Sequence, residues 1–503
     1  MEWDRRIFGP IDDERGFEQG GMPSGDLYIC YNNEQVQTAQ DSGLGVPLGP
    51  VEVAALGQAD DVVLLTDNIY YLNFLLQLTL DYCEKHHVIL APEKTKLVAF
   101  SNNSNKQLAD YQKLTSSISI GTTPINFVDT AEHVGIIRST SGNIHHIQNR
   151  ITSHTKALYS VLPAGLARNQ NANPAASLKV ESLYALPVLL SGVAPLIISK
   201  SETDIIHYHH KKTLLNLMKL PKNIPESFVM FMAGSLGATA HIHIKQMGLF
   251  GMITRLPDNI LYKVATAKLA SEPDDSSSWF VQIRQLCNQY CFPSPLSLLE
   301  NPLTKPKFKK LIKSRVLDYW RRKYELEASE RDSLEFFKPQ FLSLSRPHPL
   351  WTTCASNPWE INKALIVARL LSGQYISDWH ARHWSKENPD GFCLLCPGRR
   401  IRGDITHLLL SCEALQEKRL NILQYWKLLS EDKPHLQQLL SSVLCSSPRD
   451  QVQFLLDPSS VPSVITGCQM DLFSLEDIFP LTRTYCYSMH RRRSQIIGRF
   501  NVM

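Results

Sequence analysis

Two groups of residues in this chain have the types and spacing to do chemistry. The first is the pair of adjacent carboxylates Asp60 and Asp61, set between the apolar runs 51–56 and 62–65. Two such runs parted by a few polar residues predict a β-hairpin with Gln58 to Asp61 at its tip. Neighbouring carboxylates at a tip repel one another unless a cation meets them. A pair of Mg2+ ions is what phosphoryl transfer uses to clamp attacking and leaving oxygens. A plain Asp-Asp turn between strands is the alternative. The second group is Cys393-x2-Cys396 followed by His407-x4-Cys412. Three thiols and an imidazole at this spacing predict a closed tetrahedral Zn2+ site, structural rather than catalytic.

The elements that must position these groups follow from periodicity. Leu72, Leu76, Leu80 and Cys83 recur at spacings of three and four, so residues 69–87 predict a helix. Packed under the hairpin, it makes an α+β layer. Residues 117–128 predict another hairpin, turning at Gly121-Thr122-Thr123-Pro124, and Lys94 and Lys96 flank Thr95 in an expected strand between them. From Ile144 onward, Ile147, Ile151, Leu158 and Val161 predict a helix, and helices dominate thereafter. Residues 404–410 open the helix expected to carry His407 and Cys412 on one face. The polar stretch 271–278 breaks periodicity and marks a boundary.

Composition narrows the classes. With 503 residues and 43% hydrophobic content, the chain has ample core for several domains. Its net charge of +4 leaves any nucleic-acid affinity to local patches. Eleven cysteines are too sparse for a disulfide scaffold, and residues 1–6 are polar and charged, unlike a signal peptide. An intracellular location, nuclear or cytoplasmic, is therefore expected. Residues 182–199 carry no charge, but Pro187, Gly192 and Pro195 favour buried packing over a membrane span. His207, His209, His210, His241 and His243 have no Cys and no clear carboxylate beside them, and read as core or solvated histidines. The run from Lys305 to Arg315, extended by residues 319–324, interleaves cations with aromatics. A phosphate backbone and unstacked bases would both accept it; a solvated helix face is the alternative. His490 to Arg493 is a second candidate phosphate contact, or a basic helix end.

The segment Gly16-Phe17-Glu18-Gln19-Gly20-Gly21-Met22-Pro23-Ser24 resembles the R-G-x-x-Q-G-x-x-x-S segment of reverse transcriptases. Ala59-Asp60-Asp61 resembles their A-D-D core, and residues 87–100, with Glu93-Lys94-Thr95, resemble the N-x-x-K-T strand. His133-Val134-Gly135-Ile136 resembles the Y-L-G-V strand that closes the palm. The style is that of non-LTR (LINE-type) retrotransposon polymerases, whose C-terminal zinc-binding part the cluster from Cys393 to Cys412 and the segments 368–375 and 379–384 also resemble.

The resemblance implies an α+β fold of four regions: a partial palm of antiparallel sheet and helices (1–140), a helical thumb (141–270), a basic helical connector (271–345) and a zinc-binding helical domain (346–503). It implies RNA-directed DNA synthesis, a nucleotidyl transfer in which a primer 3′-hydroxyl attacks the α-phosphate of a dNTP beside two Mg2+. Asp60 and Asp61 would be the catalytic carboxylates and Mg2+ ligands, with Gln19 and Gly20 backing the template and the nucleotide sugar. Lys94 would lie near the incoming phosphates, a solvated strand-edge lysine being the alternative. RNA template and DNA primer are the implied partners; no membrane and no protein partner are implied. The family's other catalytic Asp stands on a strand well before Gln19, whereas Asp4, Asp12 and Asp13 here lack a strand-like apolar setting. Gln58 also stands where an aromatic residue is commoner. The chain is thus expected to be a truncated polymerase with little or no activity. The alternatives are a nucleic-acid-binding relic without catalysis and an inert fragment of a decayed element.

Overall fold

A computed structural model describes residues 2–3, 6–7, 23–100, 118–161, 172–354, 357–384, 386, 388–396, 398–461 and 472–498. These residues form a mixed α+β protein in which helices predominate. Its six sheets among the described residues are all two-stranded, five antiparallel and one parallel. The chain divides into two compact units: residues 1–146, 250–285 and 293–303 in the first, and 147–249, 286–292 and 304–503 in the second. The expected region 1–140 falls wholly in the first and 346–503 wholly in the second, while 141–270 and 271–345 contribute to both.

In the first unit, the helix Ser24–Asp41 and the helix Ile69–His86 pack with two hairpins, Val46–Leu48 with Val51–Val53 and Ala55–Gln58 with Asp61–Leu64. Ala39, Ala54, Ala55 and Leu75 make the buried centre, with Val36, Leu44, Leu64 and Leu78 around them. Small residues at 39, 54 and 55 let helix and strand approach closely. The same closeness recurs at Gly57, where a Cβ would stand 3.0 Å from a Val36 methyl. Gln40 fastens the helix to the chain between the hairpins: its amide donates to the Glu52 carbonyl and its oxygen accepts from the Ala54 N–H at 3.1 Å. Asn68 caps the second helix by accepting from the Tyr70 N–H, and His87, with φ of 56°, ends it in the left-handed conformation.

Three expectations change here. The hairpin at 117–128 reduces to Ser119–Ile120 paired with Thr123–Pro124, with Gly121 and Thr122 as its turn. Lys94 lies in a turn, not a strand: Pro92 fixes the backbone, and the Lys94 and Thr95 N–H groups both donate to the Ala91 carbonyl. Only Lys96–Leu97 is extended, pairing in parallel with Asn126–Phe127. The 133–136 segment is not one strand either. Val134 and Gly135, with φ of 51° and 71°, form the two-residue turn joining Thr130–His133 to Ile136–Ser139.

The second unit is helical. The uncharged stretch 182–199 is broken into a short π-turn at Glu181–Ala185, the helix Leu186–Leu189 and irregular chain, with Leu186, Leu189, Leu190, Val193, Leu196 and Ile198 buried. No single helix among the described residues is long and apolar enough to cross a membrane. One pair bent by 67°, Glu226–Ala233 with Ala238–Ile253, passes by composition, though residues 227–233 are buried within the protein. Toward the C-terminus, the helices Pro358–Leu371 and Leu472–Ile497 pack together. The buried Arg483 crosses between them, donating to the Glu360 carboxylate at 3.1 Å and to the Thr353 carbonyl at 3.0 Å. A guanidinium so enclosed is tolerable only because its donors are used.

Candidate metal centre and aspartate hairpin

Cys393, Cys396, His407 and Cys412 are all buried, and their ligand atoms lie within 4.8 Å of one another. The Cys412 sulfur is 3.9 Å from that of Cys393 and 3.8 Å from that of Cys396, and the Cys396 sulfur is 3.6 Å from His407 Nε2. Bonds of about 2.3 Å to sulfur and about 2.0 Å to nitrogen at tetrahedral angles put two sulfurs about 3.8 Å apart and sulfur and nitrogen about 3.5 Å apart. Three of the separations thus match a tetrahedral Zn2+, and the whole donor set could hold one. The hydrogen bond between the Cys412 and Cys393 sulfurs lowers the Cys393 thiol's pKa and raises that of Cys412.

Local structure explains how the four meet. A narrow antiparallel loop, with Phe392 bridged to Arg402 and the Cys393 N–H donating to the Ile401 carbonyl at 2.9 Å, presents the first two thiols. Asp404 accepts from the His407 N–H at 2.8 Å and starts the turn that carries the other two ligands. That turn, His407–Ser411, is wound as a π-helix, and Cys412 follows it in extended conformation. The expected α-helix with both ligands on one face is thus replaced by a wider turn and its exit. Ser411 lies 3.1 Å from His407 Nδ1, which leaves Nε2 for the cluster and fixes the ring. Arg419 holds the carbonyls of Leu409 and Cys412.

Residues around the cluster tie the loop down. Asp378 accepts from the Leu394 N–H at 3.2 Å and from Arg493 at 2.7 Å. Trp379 is sandwiched by Arg382 and Arg402, whose guanidinium carbons lie 3.5 and 3.8 Å from its ring centroid. Gly403 has no room for a side chain, since a Cβ would come within 2.7 Å of the Asp378 Cβ. Arg493, expected at a phosphate, is instead committed to Asp378, while Arg491 and Arg492 are exposed.

The aspartate hairpin is placed as its pattern predicts. Ala55 pairs with Leu64 and Gln58 with Asp61, leaving Ala59 and Asp60 as a two-residue turn. Ala59 takes φ of 53°, a conformation that costs a residue with a Cβ about 1–2 kcal/mol. Asn32 steadies it by donating to the Ala59 carbonyl at 3.2 Å. Asp60 and Asp61 are exposed. Tyr28 lies near: burial, and then the charge of Asp60, raise its hydroxyl's pKa. Among the described residues, no third carboxylate, imidazole or thiol groups with the two aspartates at ligand spacing. Two exposed carboxylates alone do not make a site for a pair of Mg2+ ions. Lys94 is exposed, and Gln19, Gly20, Asp12 and Asp13 lie outside the described residues.

The histidines lack local partners in the sequence, but the fold supplies carboxylates. His210 Nε2 lies 3.3 Å and His154 Nε2 3.8 Å from the Glu181 carboxylate, all three fully buried, and His207 lies 3.1 Å from Glu226. Burial pushes the Glu181 carboxyl up, but the two imidazoles outweigh it and hold it at about 2. The pairs join residues 19 to 29 positions apart on different helices, so no short-range spacing could announce them. No protein-family model matches the chain, and no curated protein matches it.

Proposed function

We propose that the chain is a reverse-transcriptase-like protein of the non-LTR retrotransposon kind, which engages nucleic acid and has little or no polymerase activity of its own. The observation that carries this reading is the hairpin that presents Asp60 in a strained two-residue turn with Ala59 and Asp61 at the adjoining strand end, packed on the helix Ser24–Asp41. Strain of this sort concentrates where a backbone must hold functional groups in place. In this reading residues 1–140 are part of a palm, 141–270 a thumb, 271–345 a connector and 346–503 a zinc-binding domain. RNA template and DNA primer are its partners. Asp60 is the principal carboxylate, Asp61 its neighbour, and Lys94 a contact for phosphate. Zn2+ at Cys393, Cys396, His407 and Cys412 would cross-link the loop to the following turn, with no coordination position left for a substrate.

A second reading, nucleic-acid binding without synthesis, is favoured by the absence of a third ligand beside the two aspartates among the described residues. Catalytic groups held from one side are loosely placed, and small misplacements cost orders of magnitude in rate. Primer extension on an RNA template with Mg2+ and dNTPs, run beside Asp60→Ala and Asp61→Ala, separates the readings. We expect at most trace extension, abolished in both variants, with template binding unchanged. Extension that survives both substitutions would sink the catalytic assignment. A chain that neither extends a primer nor binds the template would overturn both readings.

A further inference from the structure

The helix Lys305–Ser329 buries Phe308, Ile312, Val316, Trp320, Tyr324 and Ala328, every fourth residue along its length. This stripe answers a question the sequence left open. Tyr319 is half-buried, edge-on to Tyr290, while the other aromatics between the cations, Phe308, Trp320 and Tyr324, belong to the core: the Trp320 indole donates to the Tyr290 hydroxyl at 3.0 Å, and Tyr324 is 1% exposed. These three are not available to stack on bases. What remains outside is charge. Lys305, Lys307, Lys309, Lys310, Lys313 and Arg315 are all exposed, and none has an ion pair among the described residues.

That arrangement works against the helix. A helix N-terminus carries partial positive charge and favours acids, yet the first turn here holds no acid. Lys305 with Lys309, and Lys309 with Lys313, are like charges four residues apart, which repel across one turn. Local electrostatics that oppose the local fold are expected where a ligand offsets them. A lipid surface is a poor candidate, since among the described residues of this helix the only large apolar side chain well exposed is Leu326, beyond the cationic stretch.

We propose that the exposed face of this helix binds the phosphate backbone of a nucleic acid by charge alone, without reading bases. The ten-residue advance from Lys305 to Arg315 spans about 15 Å at the helical rise. A strand presents a phosphate about every 3.4 Å, so four or five phosphates match the length of this cationic stretch, along which Lys305, Lys309 and Lys313 follow one another a turn apart. The proposal rests on the nucleic-acid reading above.

The test is fluorescence anisotropy of labelled oligothymidylate and oligoadenylate with the full chain over a range of salt. It is repeated for a variant carrying Lys307→Gln, Lys309→Gln, Lys310→Gln and Lys313→Gln. Glutamine keeps helix propensity, and an unchanged melting temperature certifies the fold. Wild type should bind both probes alike, with log K falling against log salt at a slope of about −3, as about 0.7 per phosphate predicts. The variant should bind at least tenfold more weakly at low salt, with a shallower slope. A variant that binds as wild type does overturns the assignment of this face and leaves the nucleic-acid reading standing. Absence of binding in wild type overturns both. A strong preference for one base, or equal binding to anionic lipid vesicles, overturns recognition of the nucleic-acid backbone.

Discussion

At the scale of single residues, the cysteine and histidine ligands differ from the aspartates in how fully their surroundings are built. His407 meets the three thiols with its Nδ1 already occupied by Ser411, so the ring has one orientation in which to bind. Ser411→Ala should therefore weaken Zn2+ affinity about 10- to 100-fold without removing a ligand. Cys412→Ser should remove stoichiometric zinc altogether and lower the melting temperature. Metal content of the purified chain and competition with a chromophoric chelator measure both. Full-strength zinc binding by Cys412→Ser would exclude this site. The four ligands were legible in the sequence because their spacing is local and their chemistry narrow. Ser411, Asp378 and Arg419 were not, because serine, aspartate and arginine at those positions have many ordinary uses.

At the scale of elements, two apolar runs parted by a few polar residues located the hairpin with its tip at Gln58 to Asp61, and a spacing of three and four located the helix expected over 69–87 and found at Ile69–His86. Both signals come from one face meeting a core, so both survive in the fold. Patterns matched by residue identity alone fared differently. The 133–136 segment has a strand-like composition, but Gly135 and its neighbour Val134 take positive φ and turn the chain. In the basic helix, Phe308, Trp320 and Tyr324, read as partners for bases, are core residues, although their spacing by multiples of four was visible beforehand. The hairpin itself invites a backbone test. Ala59→Gly should stabilise the first unit by about 0.5–1 kcal/mol, because glycine adopts positive φ without the penalty a Cβ brings. Chemical denaturation measures it. A loss of stability would mean that the turn does not need the left-handed conformation.

At the scale of the molecule, the second unit gathers buried histidines whose neutral form the fold prefers. Burial lowers His241, His243 and His490 to about 4, with nearby cationic side chains helping at His241 and His490. The unfolded chain therefore binds more protons than the folded one between pH 4 and 6.5. Stability from these groups is complete above pH 6.5 and is lost as pH falls toward 4. Glu181, held at about 2, acts in the same direction below pH 4.5. Between pH 7.5 and 5.5 the loss should be about 1 kcal/mol for each of the three histidines. Urea unfolding at the two values measures it, and a midpoint that does not fall would show these rings to be hydrated. None of this was readable beforehand, since burial is a property of the assembled helices and not of any segment.

Of the three consecutive arginines at 491–493, Arg493 alone has an ion pair among the described residues, with Asp378, which also receives the Leu394 N–H and leaves no space for a side chain at Gly403. This divides the segment by its tolerance of mutational drift. Arg491 and Arg492 can change singly at little structural cost. A change at Asp378, Gly403 or Arg493 disturbs two or more contacts at once and reaches the metal loop. As the sequence diverges, these three positions should be lost together or kept together.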